Sequence, residues 1–144
     1  MDKSDGGFLI SQIKQIQGRV FDAMLQEAGI AEFNGAQGRI LYILWQEDNL
    51  PIVELSRRTG LAKTTLTGML DRMEHQGFID RSADVQDRRQ LRIVLTDKAK
   101  SMNDSYNLVS QEMTRRFYKG FNDEEILHFE AYLKRILNNL MAEL

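Results

Sequence analysis

The chain has 144 residues, of which 42% are hydrophobic and 28% are charged, and this balance is typical of a single globular domain. It contains no cysteine, which excludes a disulfide framework, a thiolate zinc site, a cysteine nucleophile and a thiol redox sensor. A formal net charge of -2 argues against general nucleic-acid binding, but the central third has a small basic excess between acidic flanks. This excess permits a local surface that faces phosphate groups.

The sequence also bounds where the protein acts and which groups it holds. No apolar run approaches the roughly 18 residues of a membrane span, and the first residues lack the long apolar core of a signal peptide. We therefore expect a cytoplasmic protein without a membrane partner. His75 and His128 are the only histidines and no thiolate accompanies them, so we expect neither a metal site nor a cofactor.

Two helices are predicted in the first third of the chain. Residues 8–28 carry apolar side chains at every third or fourth position, which indicates an amphipathic helix that ends near Gly29. Asn34 and Gln37 have the spacing of a capping pair, and they predict the start of a second helix with a broad apolar face. This second helix is expected to stop near Asn49.

A third and a fourth helix are predicted on either side of Gly60. Pro51 is placed in the first turn of the third helix, where its missing N–H costs nothing, and that helix runs to Gly60. The fourth helix covers residues 63–76 and ends at Gly77. Its predicted inward positions are Leu66, Met69 or Leu70, and Met73.

A hairpin and two more helices are predicted to complete the chain. Residues 78–81 are predicted to be extended, 82–89 to form a polar turn and 90–95 to form a half-buried strand with Leu91, Ile93 and Leu95 on one side. Thr96 is the predicted N-cap of one long helix over residues 97–119, and Asn122 with Glu125 forms a second capping pair. The last helix carries a wide apolar stripe: Ile126, Phe129, Leu133, Ile136, Leu137, Leu140 and Leu144.

This order of elements predicts a mainly α fold. The third and fourth helices fit a helix-turn-helix, and the hairpin directly after them fits the wing of a winged helix.

The fourth helix is predicted to present a polar face at its start. The outward or first-turn residues are Lys63, Thr64, Thr65, Thr67, Gly68 and Arg72. Each threonine costs up to about 0.7 kcal/mol of helix stability relative to alanine and glycine costs about 1 kcal/mol, which favours another role for them. Threonines contact base edges and phosphates, and a glycine allows a groove to approach closely. The alternative is that one threonine caps the helix and the others are tolerated on the surface.

The predicted hairpin turn concentrates charge. It contains Asp84, Asp87, Arg88 and Arg89. An arginine at the tip of such a projection is suited to a DNA minor groove, and a carboxylate two residues earlier is suited to hold its guanidinium through a bidentate pair. The alternative is a solvated turn whose charges neutralise one another.

Residues 55–96 closely resemble the winged helix-turn-helix of the MarR (multiple antibiotic resistance regulator) family. The strongest segments are DVQDRR at 84–89, followed by a strand that ends LT at 95–96, together with LDRME at 70–74 and GFI at 77–79. Two positions depart from the family pattern: Val85 stands where proline is common, and Leu55-Ser56 replaces a frequent Leu-Ala. Helix order and length extend the resemblance over essentially the whole chain.

This resemblance implies a transcriptional regulator, expected to be a repressor, that binds double-stranded DNA as a homodimer on a palindromic operator. The fourth helix is expected in the major groove and Arg89 in the minor groove, with Arg88 beside it and Asp87 orienting Arg89. Phosphate contacts are expected from Arg57, Arg58, Lys63 and Arg72, although such helix-surface charges are more often simply solvated. Residues 34–95 form the expected DNA-binding lobe, and residues 1–33 and 96–144 supply the expected dimerisation helices. The alternative for their apolar stripes is an intramolecular core.

Similar proteins bind small aromatic or phenolic acids and then lose DNA affinity, so the resemblance also implies such an effector. Four aromatic residues are candidates for its pocket, with core packing as the alternative role: Phe21, Tyr42, Trp45 and Phe117.

Two rival functions remain. Asp84 and Asp87 offer paired carboxylates, but no nucleophile with a base, phosphate-binding glycine loop or metal cluster accompanies them, so we expect no enzyme. A winged helix that makes only protein contacts is the second rival, and it predicts no salt-dependent DNA binding.

Overall fold

A computed structural model of the protein describes residues 3–30 and 32–144. Within them the chain forms seven helices: α1 (Gly6–Glu27), α2 (Gly35–Gln46), α3 (Ile52–Thr59), α4 (Lys63–His75), α5 (Asp97–Ser101), α6 (Asn103–Phe117) and α7 (Asp123–Met141). The strands there are β1 (Leu50–Pro51), β2 (Ile79–Ala83) and β3 (Leu91–Leu95). The prediction of a mainly α fold is confirmed. None of the helices in these residues has the length and apolar character needed to cross a membrane.

The first two helices form close to their predicted positions. α1 begins at Gly6 and is followed by Gly29 at φ +77°, a backbone angle that glycine adopts without strain. At the start of α2, Asn34 Oδ1 accepts a hydrogen bond from the Gln37 N–H at 2.8 Å, and Gln37 Oε1 accepts one from the Asn34 N–H at 3.2 Å. This capping box, as predicted, satisfies two N–H groups that the helix itself leaves unpaired. α2 ends at Gln46, three residues before the predicted stop.

A short strand that the sequence pattern does not predict lies between α2 and α3. In β1, Leu50 pairs with Ile93 and Pro51 with Arg92, in antiparallel register. The prediction that Pro51 lies in the first turn of α3 is wrong. Pro51 is instead the N-cap residue of α3, and its backbone is extended. Proline fits this place because β1 is an edge strand of a sheet ordered β1-β3-β2, where a missing N–H removes no interior hydrogen bond.

The predicted hairpin is present, but its turn is shorter. β2 and β3 pair in antiparallel register from Ile79 opposite Leu95 to Ala83 opposite Leu91. Residues 82 and 83, predicted to lie in the turn, belong to β2 because the strand pairing extends to them. Ile93 and Leu95 are buried as predicted, whereas Leu91, next to the turn, is exposed.

The single long helix predicted after Thr96 is divided at Met102 into α5 and α6. Thr96 caps α5 as predicted, since its hydroxyl accepts a hydrogen bond from the Ala99 N–H at 3.2 Å. At the division, the Met102 N–H donates to the carbonyl of Ala99, which is three residues earlier. An α-helix would pair residues four apart, so the helix narrows here to a 3-10 turn. The Ser101 hydroxyl also donates to the Lys98 carbonyl at 2.7 Å, and this bond competes with the helical pattern.

The chain divides into two compact units, Met1–Val109 and Ser110–Leu144. In the first unit, side chains of α2, α3, α4 and the sheet share one core. Its fully buried members include Leu41, Leu55, Leu66, Phe78 and Ile93. Because α4 and the hairpin both contribute to this close-packed core, their relative positions are fixed. The arrangement is a helix-turn-helix followed by a wing, as predicted.

The second unit contains the second half of α6 and the whole of α7. Three aromatic rings lie 4.8–6.1 Å from the Tyr118 ring, centroid to centroid: Phe117, Phe121 and Phe129. The Tyr118 hydroxyl donates a hydrogen bond to Glu130 at 2.7 Å. The predicted capping box at the start of α7 is also present, with Asn122 accepting from the Glu125 N–H at 2.8 Å.

Candidate nucleic-acid interface

The turn between α3 and α4 is held by side-chain hydrogen bonds. The Ser56 hydroxyl donates to the Leu61 carbonyl at 2.7 Å, and the Leu61 N–H donates to the Thr59 hydroxyl at 3.3 Å. Gly60 adopts φ +73°, where a side chain would be strained. This turn sets the direction in which α4 leaves α3, and it makes Gly60 the end of α3, as predicted.

α4 buries one face and leaves the opposite face exposed, as its pattern predicts. The buried residues are Leu66, Met69, Leu70 and Met73. Lys63, Thr64 and Thr65 are exposed at the start of the helix. The N-cap of α4 is Ala62, which makes no side-chain capping bond, so the alternative that a threonine serves as the N-cap is wrong.

Thr67 and Gly68 occupy the next turn of the same surface. The Thr67 hydroxyl donates to the Lys63 carbonyl at 2.8 Å, which fixes its rotamer and leaves its oxygen able to accept a second bond. A Cβ added to Gly68 would meet no described atom within 4 Å. Packing inside the described chain therefore does not require glycine at this position.

Arg57 and Arg58 of α3 are held by acidic neighbours. Arg57 pairs with Glu54 through its Nε, at 3.1 Å, and through Nη2. Arg58 reaches Glu54 at 2.8 Å and Glu47 at 2.6 Å. Hydrogen bonds from Arg57 and then Arg58 lower the pKa of Glu54 to about 2. Both arginines therefore present less net charge to a ligand than an isolated guanidinium would.

Two basic residues of α4 differ from this pair. Within residues 3–30 and 32–144, the side chains of Lys63 and Arg72 make no hydrogen bond or ion pair, and both are exposed. Their full charge faces solvent.

Arg89 stands at the end of the wing, which we define as β2, β3 and the turn of residues 84–90. Its side chain is 92% exposed. Asp87 Oδ1 accepts hydrogen bonds from the Arg89 backbone N–H at 3.1 Å and from Arg89 Nε at 3.3 Å. Both Arg89 donors thus bind the same carboxylate oxygen of Asp87. The predicted bidentate pair, in which the guanidinium contacts both carboxylate oxygens, is wrong, because the turn also brings the Arg89 backbone N–H to Oδ1. Arg88, beside it, is exposed.

Asp84 and Arg92 brace the wing, a contact that the sequence pattern does not predict. Asp84 Oδ2 accepts from Arg92 Nε at 2.8 Å, and Arg92 Nη1 donates to the Asn49 carbonyl at 2.6 Å. Asp84 Oδ1 also accepts the N–H groups of Gln86 at 2.8 Å and Asp87 at 3.3 Å.

The partners of Asp84 determine its chemistry. Hydrogen bonding from Arg92, then from the two turn N–H groups, lowers the pKa of Asp84. A general acid needs the opposite shift, so Asp84 is not suited to that role.

A second arginine missed by sequence reasoning, Arg81 of β2, contacts α4. Its Nη1 lies 2.7 Å from Asp71 and its Nη2 lies 3.0 Å from Glu74. The available signal was strand alternation, because Arg81 is two residues from the buried Ile79 and so shares its face.

Three of the four candidate effector residues lie in the first unit, Phe21, Tyr42 and Trp45, and Phe117 lies in the second. Phe21 and Trp45 pack against Tyr106, with ring centroids at 5.7 and 4.9 Å. Tyr42 is 42% exposed. Phe117 packs against Tyr118 in the second unit, as described above. For Phe21 and Trp45, these contacts are those of core packing.

Comparison with known proteins gives consistent matches. The MarR family model matches residues 33–91. The HTH-type transcriptional regulator TtmR of Methylorubrum extorquens (strain PA1) is 35% identical over 85 residues, which cover 59% of this chain and 42% of TtmR. The uncharacterized HTH-type transcriptional regulator YsmB of Bacillus subtilis (strain 168) is 32% identical over 97 residues, which cover 67% of this chain and 66% of YsmB. The chain thus spans less than two thirds of the length of either relative.

A solved structure matches over nearly the whole chain. A mutant MarR from E. coli, complexed with operator DNA, is 25% identical with a TM-score of 0.80, over 91% of this chain and 92% of that chain. Both relatives named above are described as HTH-type transcriptional regulators. By its winged helix-turn-helix and by these matches, the chain belongs to the MarR family of transcriptional regulators.

Proposed function

We propose that the protein binds double-stranded DNA at specific sequences and thereby regulates transcription. One observation carries this proposal: a single compact unit combines the exposed polar start of α4 with a projecting wing that presents Arg89 to solvent. A helix fits the width of the major groove, and an arginine fits the negative potential of a narrow minor groove. α4 is then the recognition helix, and Arg89 is the second point of contact.

The residues of the recognition helix divide into two roles under this proposal. Thr64, Thr67 and Gly68 face base edges, since their spacing places them on one face of α4, where Thr64 is exposed and Thr67 and Gly68 are half-buried. Lys63 and Arg72 contact phosphates, because both are exposed and carry full charge. Thr65 and Arg88 complete the predicted contact surface.

Arg57 and Arg58 are weaker candidates for phosphate contacts. Their charge is shared with Glu54 and Glu47, so binding a phosphate would require these ion pairs to loosen. Their contribution is therefore expected to be smaller than that of Lys63 and Arg72.

We further propose that the protein acts as a homodimer. Large apolar side chains of α1 remain exposed: Phe8, Leu9, Ile10, Ile13 and Ile16. No residue of α7 is buried, although its sequence contains a wide apolar stripe. Exposed apolar surface on this scale is typical of an interface, and a second copy of the chain covers it.

The dimer has consequences for the DNA site. Residues 34–95 form the DNA-binding lobe, and residues 1–33 and 96–144 supply the dimerisation helices. Two recognition helices related by a two-fold axis match a palindrome whose half-sites lie roughly 34 Å apart. Repression follows where such a site overlaps a promoter.

Release by a small aromatic or phenolic acid is the regulatory part of the proposal. A ligand releases DNA only to the extent that it binds a DNA-incompetent arrangement of the dimer more tightly. The Tyr42 ring is the first to test for such binding, because it is exposed, whereas Phe21 and Trp45 pack against Tyr106.

The test is selection from a random duplex library with the purified protein, followed by mass measurement of the complex. We expect an enriched palindrome bound by two chains. A dimer that enriches no duplex, in the absence of any added effector, would overturn the proposal and favour a winged helix that serves protein contacts.

A further inference from the structure

The recognition helix carries two acidic residues where a DNA-binding surface needs positive charge. Asp71 follows Gly68 by three positions and Thr67 by four, so it lies on the same side of α4 as these proposed base contacts. Glu74 lies one turn further along. The Asp71 and Glu74 side chains are 58% and 40% exposed. Unpaired, both carboxylates would repel the phosphates that Lys63 and Arg72 attract.

Arg81 of β2 engages both carboxylates at once. Nη1 contacts Asp71 Oδ1 at 2.7 Å, while Nη2 and Nε contact the two oxygens of Glu74 at 3.0 and 3.3 Å. The Nε, Nη1 and Nη2 groups of Arg81 are thus all paired with the two carboxylates of α4. Its side chain is only 22% exposed, so it is less available to an outside ligand than Arg89.

This contact also joins the two elements of the proposed interface. Arg81 lies at the centre of β2, where it pairs with Ile93 of β3, and its partners lie on α4. The hydrogen bond from Arg81 lowers the pKa of Glu74, which keeps that carboxylate ionised and paired.

We propose that Arg81 is a positioning residue for DNA binding, which neutralises Asp71 and Glu74 and draws them toward the wing, away from the phosphates. This inference rests on the proposed function. Arg81 does not touch DNA; it acts through the two carboxylates. Its removal therefore matters only while those carboxylates are present.

The test compares variants on the duplex that the wild-type protein selects. Arg81→Met removes the guanidinium and leaves a side chain of similar length. We expect binding at low ionic strength to weaken at least about tenfold, because two repelling charges are exposed in each half-site. Adding Asp71→Asn and Glu74→Gln to Arg81→Met is expected to restore affinity to within about threefold of the wild type, since the repelling charges are gone.

Arg115→Met is the matched control. Arg115 also pairs with a carboxylate of a neighbouring helix turn, Glu112, at 2.7 Å, and its loss changes the net charge by the same amount. We expect it to leave DNA affinity unchanged. Thermal unfolding of every variant distinguishes lost folding from lost binding.

The outcomes separate this inference from the proposed function. Unchanged affinity in Arg81→Met would overturn it. So would a loss that the two carboxylate substitutions fail to restore in a folded protein, because Arg81 would then contact DNA itself or act only on stability. If the wild type selects no duplex, the proposed function fails, and this inference fails with it.

Discussion

Gly38 of α2 lies so close to the Tyr106 ring that a Cβ on Gly38 would stand 2.7 Å from Tyr106 Cε2 and 3.0 Å from the Tyr106 hydroxyl oxygen. Tyr106 is 5% exposed, and burial raises its pKa to about 12. Three further rings surround it at 4.9–5.8 Å: Phe21, Phe33 and Trp45. Through them Tyr106 connects α1, α2 and α6.

Gly38→Ala is expected to destabilise the protein by about 1–3 kcal/mol, because the new methyl group must displace a buried ring in a packed cluster. The measurement is urea unfolding at neutral pH. Gly18→Ala in α1 is the control, since a Cβ there meets no described atom within 4 Å. Equal stability of Gly38→Ala and the wild type would show that the Tyr106 ring is free to move.

Gly68→Ala is expected to separate stability from function. Alanine stabilises a helix interior by about 1 kcal/mol relative to glycine, and the added Cβ meets nothing in the described chain. If a groove of DNA approaches Gly68 closely, the same methyl group obstructs it. We therefore expect a higher melting temperature together with weaker binding to the selected duplex. A stabilised variant with wild-type affinity would remove Gly68 from the interface.

Local patterns in the sequence predict much of the fold. The capping box of Asn34 and Gln37 and the buried face of α4 depend on residues three or four positions apart, so they can be read directly. β1 could not be predicted in this way. Two residues have no periodicity, and the strand exists because Leu50 pairs with Ile93, far along the chain.

The same distinction applies to the candidate interface. Arg89 and Asp87 are two residues apart, so their contact can be predicted from the sequence of the turn. The geometry of their hydrogen bonds could not be predicted in this way. Arg81 meets residues of α4, and Arg92 meets the carbonyl of Asn49 before β1. These two contacts depend on how the sheet packs on the helices, which no local spacing records.

Asp84 is expected to make the stability of the wild type depend on acidic pH. Its pKa in the folded protein is below the ordinary value of 3.8, chiefly because Arg92 donates to it. Its contribution is therefore complete above that ordinary value and is lost as pH falls through the lower folded value. The stability difference between wild type and Asp84→Asn should be constant above about pH 5 and shrink below about pH 4.

Urea unfolding across this pH range measures the difference. Asp80→Asn is the control, because Asp80 is an exposed residue of β2, four positions before Asp84. A difference that does not change with pH would contradict the role of the Asp84–Arg92 pair.

Thr64→Ala is expected to change which base pair the protein prefers at one position of each half-site. A side chain that reads a base edge discriminates by about 1–3 kcal/mol, whereas a phosphate contact weakens all sequences equally. Binding to the selected duplex and to its single-base variants measures this. Uniform weakening would assign Thr64 to the phosphate backbone. Thr67→Ala is the parallel variant, in which the hydrogen bond to the Lys63 carbonyl is also lost.

The central claim is that α4 and the wing contact DNA together. It is tested most directly by the affinity of the wild type and Arg89→Ala for the selected duplex over a range of salt concentrations, with Arg115→Ala as control. We predict that Arg89→Ala binds at least about tenfold more weakly and remains a folded dimer, while wild-type affinity falls steeply with salt. Equal affinity of Arg89→Ala and the wild type would contradict the claim.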